Sequence, residues 1–188
     1  GVTHVRLPFE PGTVWDADGH QFKLFGLSEL RGAIALCVDA GLGVIADAHP
    51  TDSNSPWATV DAAGDSAELE LFWAALARNL AETDPERVFI EILNEPHNIK
   101  NPGHWPAAQN RLLAIIRAAA PRHTIILTGD DWGGIDGLKR LKPAEDPNIA
   151  YSFHCYDPHN FTHQGAAWGW PPWKHMKGLP YPSAPELL

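Results

Sequence analysis

Apolar positions along the chain gather into short, nearly unbroken runs, separated by longer stretches in which they recur every three or four residues. The runs are Val2–Leu7, Val44–His49, Val88–Leu93, Thr124–Thr128 and Ile149–His154. Runs of this length and continuity predict parallel strands covered on both faces. The stretches between them predict helices. Ser28 reads as the cap of a helix running to about Ala40, with Gly41 where a left-handed C-terminal residue belongs. Asp65 and Glu68 have capping-box spacing, and Leu69, Phe72, Trp73, Leu76 and Leu80 then make one apolar stripe. A third helix is predicted after Pro106, with Leu112, Ile116 and Ala119 on its inner face.

Strands alternating with helices predict right-handed βαβ units, and the first four strands start about 36–44 residues apart, in keeping with such units. Polar residues collect directly after the runs: Pro8-Phe9-Glu10, His49-Pro50-Thr51-Asp52, Asn94-Glu95-Pro96-His97, Asp130-Asp131-Trp132 and His154-Cys155-Tyr156-Asp157. In a (β/α)8 barrel that rim is the catalytic face. In an open doubly wound sheet it is the ligand crevice. Position alone does not separate the two folds, although no Gly-rich loop follows the first strand.

Composition narrows the partners. A chain of 188 residues, 44% hydrophobic, is long enough for one domain with a real core. Its formal net charge of −9 and the lack of any Lys/Arg cluster argue against nucleic acid. No apolar run approaches the roughly 20 residues of a membrane-spanning helix. The opening Gly1-Val2-Thr3-His4-Val5-Arg6 has neither region of a signal peptide. Cys37 reads as a small apolar residue on a helix, and Cys155 as a buried bystander. Eight Trp among few basic residues fit a neutral ligand that stacks, as sugars do.

The chemistry centres on Asn94-Glu95-Pro96, at the end of the run Val88–Leu93. Glycoside hydrolysis needs a carboxylic acid to protonate the leaving oxygen and a second carboxylate across the sugar. A Glu held at a strand end suits the first task, and Asn94 could hydrogen-bond a sugar hydroxyl. A simple turn, with Pro96 ending the strand, accounts for the same tripeptide. Trp132 reads equally as a sugar-stacking ring and as a core or lid aromatic. Trp57, Trp168, Trp170 and Trp173 lie in long loops and could line subsites. Asp47 is expected to face away from His49, or into the next layer of a barrel, as a structural residue. No HExxH is present, and His154, Asp157, His159 and His163 lack a recognised ligand spacing, so no catalytic metal is expected. Serine hydrolysis lacks its Gly-x-Ser-x-Gly elbow.

From His4-Val5-Arg6-Leu7-Pro8-Phe9 to about Trp168 the chain resembles glycoside hydrolase family 5, in the clan of barrel glycosidases. The resemblance implies an incomplete α/β (β/α)8 TIM barrel, holding about strands two to six. Residues 1–188 would then form a single partial catalytic domain, with 157–188 a long loop and Pro-rich tail. Arg6 looks like the strand-two arginine that supports the nucleophile, and His49 like the strand-three histidine facing the sugar. Asn94 and Glu95 match the strand-four pair, Glu95 being proton donor and later base. His154 and Tyr156 match the strand-six pair, whose tyrosine hydrogen-bonds the nucleophile. With Trp132 these make up the candidate site.

The family's nucleophile is a Glu ending strand seven. Glu186 is the only acidic residue after Asp157, and it follows Pro185 in a tail without a strand pattern. The implied function is a retaining endo-β-1,4-glucanase, present as a fragment with the acid/base but not the nucleophile. The alternative is a carbohydrate-binding barrel without catalysis. The implied partners are a β-glucan polysaccharide or oligosaccharide and the rest of the barrel. No cofactor is implied, and the family suggests a secreted protein.

Overall fold

The computed structural model describes residues 1–51, 66–97, 101 and 103–181. Strand β1 (His4–Phe9) leads into a helical turn α1 (Pro11–Val14) and a short antiparallel hairpin, β2 (Trp15–Asp16) and β3 (Gln21–Phe22). Then follow α2 (Leu24–Asp39), β4 (Gly43–Ala48), α3 (Ala67–Leu80), β5 (Val88–Glu91) and α4 (His104–Ala119). After these come β6 (Ile125–Thr128), α5 (Ile135–Arg140), β7 (Ile149–Ser152) and α6 (His159–Thr162), and a 3-10 helix spans Pro171–His175.

Five of the strands pair in parallel in the order β1-β4-β5-β6-β7. All five anticipated runs are therefore strands, with shifted ends: the first lies two residues later, and the third stops at Glu91 rather than Leu93. Val44, Ala46, Val88, Ile90 and Ile125 are fully buried, as expected of strands covered on both sides. The core lies between the sheet and the helices α2, α3 and α4. Leu69, Phe72, Trp73, Leu76 and Leu80 of α3 are all buried, as are Leu112 and Ile116 of α4; Ala119 packs at the margin. Each large side chain of this kind is worth about 1.5–3 kcal/mol on burial.

Helix starts were less legible than helix faces. Helix α2 begins at Leu24, so Ser28 lies inside it rather than capping it. Its C-terminus is as anticipated: Gly41 has φ +82°, and the N–H groups of Gly41 and Leu42 donate to Val38 O (2.9 Å) and Cys37 O (3.0 Å), closing the helix. Asp65 lies outside the described residues. Helix α3 starts instead after Ser66, whose hydroxyl donates to Glu70 (2.7 Å), while Glu68 accepts from the Trp15 indole (2.8 Å). Pro106 falls in the first turn of α4, two residues after its start, where its missing N–H costs nothing.

The far end of α4 is fastened by Arg117. Its guanidinium donates to both Asp146 carboxylate oxygens (2.8 and 3.0 Å), to His123 O (2.7 Å) and to Asn148 O (2.9 Å). The Arg117 hydrogen bond holds the Asp146 carboxyl below the usual range. Replacing Arg117 with Met is expected to cost about 1–3 kcal/mol in urea unfolding at neutral pH. Because the folded-state pKa of Asp146 is lowered, its contribution exists above the unfolded pKa and fades as pH falls through the folded value. The difference between the two proteins should therefore shrink below about pH 4.

The chain divides into two compact units, Gly1–Phe153 and His154–Leu188. In the second, the Trp173 indole stacks on His163 (ring centroids 4.4 Å apart) and donates to Asn160 Oδ1 (3.2 Å). The stretch expected to be an irregular loop thus contains two short helical pieces built around this indole.

Candidate active site

Polar groups gather at the C-terminal ends of the parallel strands, and the helices behind those ends hold them in place. The Trp73 indole of α3 donates to Ile92 O (3.0 Å), just before Asn94-Glu95. From α4, Trp105 donates to Thr128 O (2.8 Å), and Gln109 Oε1 accepts from Thr128 N (2.9 Å). These bonds satisfy backbone groups at the strand ends from the helix side. Gly129 and Gly137 bring β6 and α5 into backbone contact: a Cβ on Gly129 would lie 2.2 Å from Gly137 C. That contact fixes the origin of the loop carrying Asp130-Asp131-Trp132.

Arg6 is the hub. Its Nε and Nη2 grip Glu91 in a fork (2.7 and 2.9 Å), Nη1 pairs with Asp47 Oδ2 (3.0 Å), and Nη2 also donates to Asn94 Oδ1 (2.9 Å). Asp47 and Glu91 face each other in register on β4 and β5, and both are buried. Like charges so placed repel. The guanidinium offsets that repulsion. Burial alone would lower the Arg6 pKa, but the bond to Glu91 and the negative charges of Asp47, Glu91 and Glu95 raise it. Asp47 moves the other way from an ordinary carboxyl: burial first, then the Glu91 charge, push its pKa up against the pull of His49 and Arg6.

The expectation that Asp47 faces away from His49 is wrong. Residues two apart on an extended chain point to the same side, and His49 Nδ1 lies 2.8 Å from Asp47 Oδ2. His49 Nε2 in turn lies 3.2 Å from Asn94 Nδ2. Arg6, Asp47, His49, Asn94 and Glu91 thus form one connected cluster.

Glu95 adopts φ +45°, a left-handed conformation uncommon for a residue with a side chain. Two bonds brace the turn. His97 Nδ1–H donates to Glu95 O (2.6 Å), and Trp132 N–H donates to Pro96 O (3.1 Å). The His97 and Trp132 rings lie flat on each other, with centroids 3.7 Å apart and planes within 4°. One face of Trp132 is therefore occupied by His97, yet the residue remains 54% exposed.

The model of the cellulase family, glycosyl hydrolase family 5, matches residues 1–178. This chain belongs to that family. Cellodextrinase A of Ruminococcus flavefaciens is 30% identical over 174 residues, covering 89% of this chain and 51% of its own. Cel5A of Thermotoga maritima in complex with mannotriose superposes with a TM-score of 0.83 at 27% identity, over 99% of this chain and 59% of that one. The same enzyme in complex with cellobiose gives 0.74 at 29% identity, over 90% and 54%. The chain spans about half the length of the relatives it matches. Its five-stranded parallel sheet with flanking helices is part of the (β/α)8 barrel of family 5.

Within this family 5 chain the structure brings Arg6, His49 and Asn94 into one cluster, and places Glu95 directly after it in the chain. Trp132 stands beside the Glu95 turn through His97. His154 and Tyr156 belong to the second unit, where their rings meet edge to face at 6.4 Å and Tyr156 also packs on His163 (5.2 Å). Cys155 is exposed, contrary to the expected burial, and Cys37 packs at the edge of the core. Trp168 and Trp170 are exposed, whereas Trp173 is engaged with histidine rings; Trp57 and Glu186 lie outside the described residues.

Three residues of the site were not anticipated from sequence: Asp47 as a partner of His49, Glu91 as the seat of Arg6, and His97 as the brace of Glu95. Glu91 did carry a signal, since a charge within a buried strand requires a counter-ion.

Proposed function

We propose that this chain is the acid/base-bearing part of a retaining β-1,4-glucanase, with Glu95 as the group that protonates the departing glycosidic oxygen. The observation that carries this reading is the bonded cluster of Arg6, Asp47, His49 and Asn94, whose last member immediately precedes Glu95, in a family 5 chain. A carboxylate from the barrel strand that follows β7 in the complete family fold attacks the anomeric carbon, and the C–O bond to the leaving sugar breaks as Glu95 gives up its proton. Glu95 then takes a proton from water, whose oxygen displaces the carboxylate and restores the original configuration. His154 and Tyr156 are assigned to this catalytic set, Tyr156 as the hydrogen-bond donor to the nucleophile. His49, Asn94 and Trp132 face the sugar, and Arg6 acts through the partners it holds.

The nucleophile is assigned to a part of the barrel other than these 188 residues. Support comes from the half-length match to the relatives and from Glu186 being the only acidic residue after Asp157. The glucan assignment draws on the cellobiose carried by the Thermotoga enzyme and on the exposed face of Trp132. Calorimetry on the purified chain tests it. Cellotetraose is expected to bind and maltotetraose not to, and Trp132→Ala should weaken cellotetraose binding about 5–10-fold through lost stacking. Equal heats for the two sugars would sink the reading.

A further inference from the structure

The donor and acceptor chemistry of the cluster fixes more than its members. A guanidinium only donates, so the Asn94 atom 2.9 Å from Arg6 Nη2 is the amide oxygen. The amide nitrogen then faces His49 Nε2 at 3.2 Å. That nitrogen can only donate, so Nε2 must be bare and accept. A bare Nε2 makes the imidazole neutral with its proton on Nδ1, directed at Asp47 Oδ2 2.8 Å away. The bonds interlock: Arg6 and His49 hold the two ends of the Asn94 amide, and Asp47 receives the proton that His49 then carries.

We infer that Asp47 is a positioning residue that locks His49 in the Nδ1–H form and thereby the direction in which Asn94 presents its amide. Asp47 is suited to this because it cannot turn away. It is fully buried, its Oδ2 takes both Arg6 and His49, and its Oδ1 has no hydrogen-bond partner among the described residues. A ring free to change tautomer would present N–H to N–H against Asn94, and the amide would lose either Arg6 or His49. Locked, Asn94 keeps its second N–H for an acceptor in the cleft. In the proposed glycosidase, on which this last consequence rests, that acceptor is a sugar hydroxyl.

The test is long-range 1H–15N correlation of the histidine rings in the 15N-labelled 188-residue chain, with His49 assigned from the signal lost in His49→Gln. The wild-type protein is expected to show neutral His49 with unprotonated Nε2 at neutral pH. Asp47→Ala should shift the tautomer ratio toward Nε2–H by about tenfold or more, the worth of a hydrogen bond to a charged group. Asp47→Asn, whose amide oxygen still accepts from Nδ1, should keep the wild-type form. Wild-type His49 found as the Nε2–H tautomer or the imidazolium would overturn the inference, whatever the variants do. So would an unchanged ratio in Asp47→Ala or a reversed one in Asp47→Asn. If Asp47→Ala does not fold, the wild-type and Asp47→Asn spectra decide alone. No sugar enters this measurement, so cellotetraose failing to bind while the tautomer holds would sink the glucanase reading and leave the inference standing.

Discussion

Purified on its own, the 188-residue chain is expected to cleave an aryl β-cellobioside at least about 10⁴-fold more slowly than a whole family 5 endoglucanase. A positioned general acid contributes about 10²–10⁴-fold by itself, and only while the rest of the reaction is available to it. With the nucleophile assigned to another part of the barrel, as proposed above, the covalent step of the isolated chain would lack the carboxylate that forms the glycosyl ester. Groups that act as a unit lose their effects together. Glu95→Gln should therefore change the residual rate of the isolated chain very little. Release of the aryl alcohol, followed by absorbance at matched protein concentration, measures both. Turnover within tenfold of a complete relative would contradict the assignment of the nucleophile.

Arg6→Met is expected to destabilise the fold by about 3–5 kcal/mol, the usual cost of leaving buried charges without their counter-ion. Asp47 and Glu91 are both buried and sit opposite each other, so the loss exposes their mutual repulsion directly. The effect falls toward the lower figure because the Arg6 side chain keeps 32% of its surface in water. Arg6→Lys retains the charge but not the fork, and should recover part of the loss. The pH dependence follows from linkage. The Asp47 carboxyl, already raised by burial and the Glu91 charge, loses the opposing pull of Arg6, so it holds its proton more tightly folded than unfolded and stability falls as pH rises above about 4. The deficit relative to wild type should be largest near neutrality and smaller in acid, as read from urea midpoints at several pH values. A pH-independent deficit would mean that lost packing, not lost charge, accounts for the change.

The sequence was most readable where one physical demand acts alone. Burial on both faces makes the inner strands β4, β5 and β6 continuous apolar runs, and the half-exposed edge strands β1 and β7 carry enough of the same pattern that all five were legible and only their ends moved. The faces of α3 and α4 were equally plain, because a single stripe does the burying. Helix starts were obscured by competing partners: Glu68 serves the Trp15 indole, and α2 begins at Leu24 without a side-chain cap. The hairpin of β2 and β3 is too short to leave a pattern. In the site, Arg6, His49, Asn94 and Glu95 were legible through a family resemblance, whereas the bonds among them depend on cross-strand register. The chain does not state that Asp47 lies opposite Glu91. The pairing of His97 with Trp132 joins two loops and leaves no spacing to read.

All five strands of the sheet run the same way, so its two rims have different duties. In the turns that precede three of the strands, Gly41, Asp84, Glu86, Arg87 and Arg122 are exposed, and none is a candidate site residue. They are the natural points for a cysteine handle, a fluorophore or a surface tether. A protein immobilised there would stand with the rim that carries the candidate site turned to the solution.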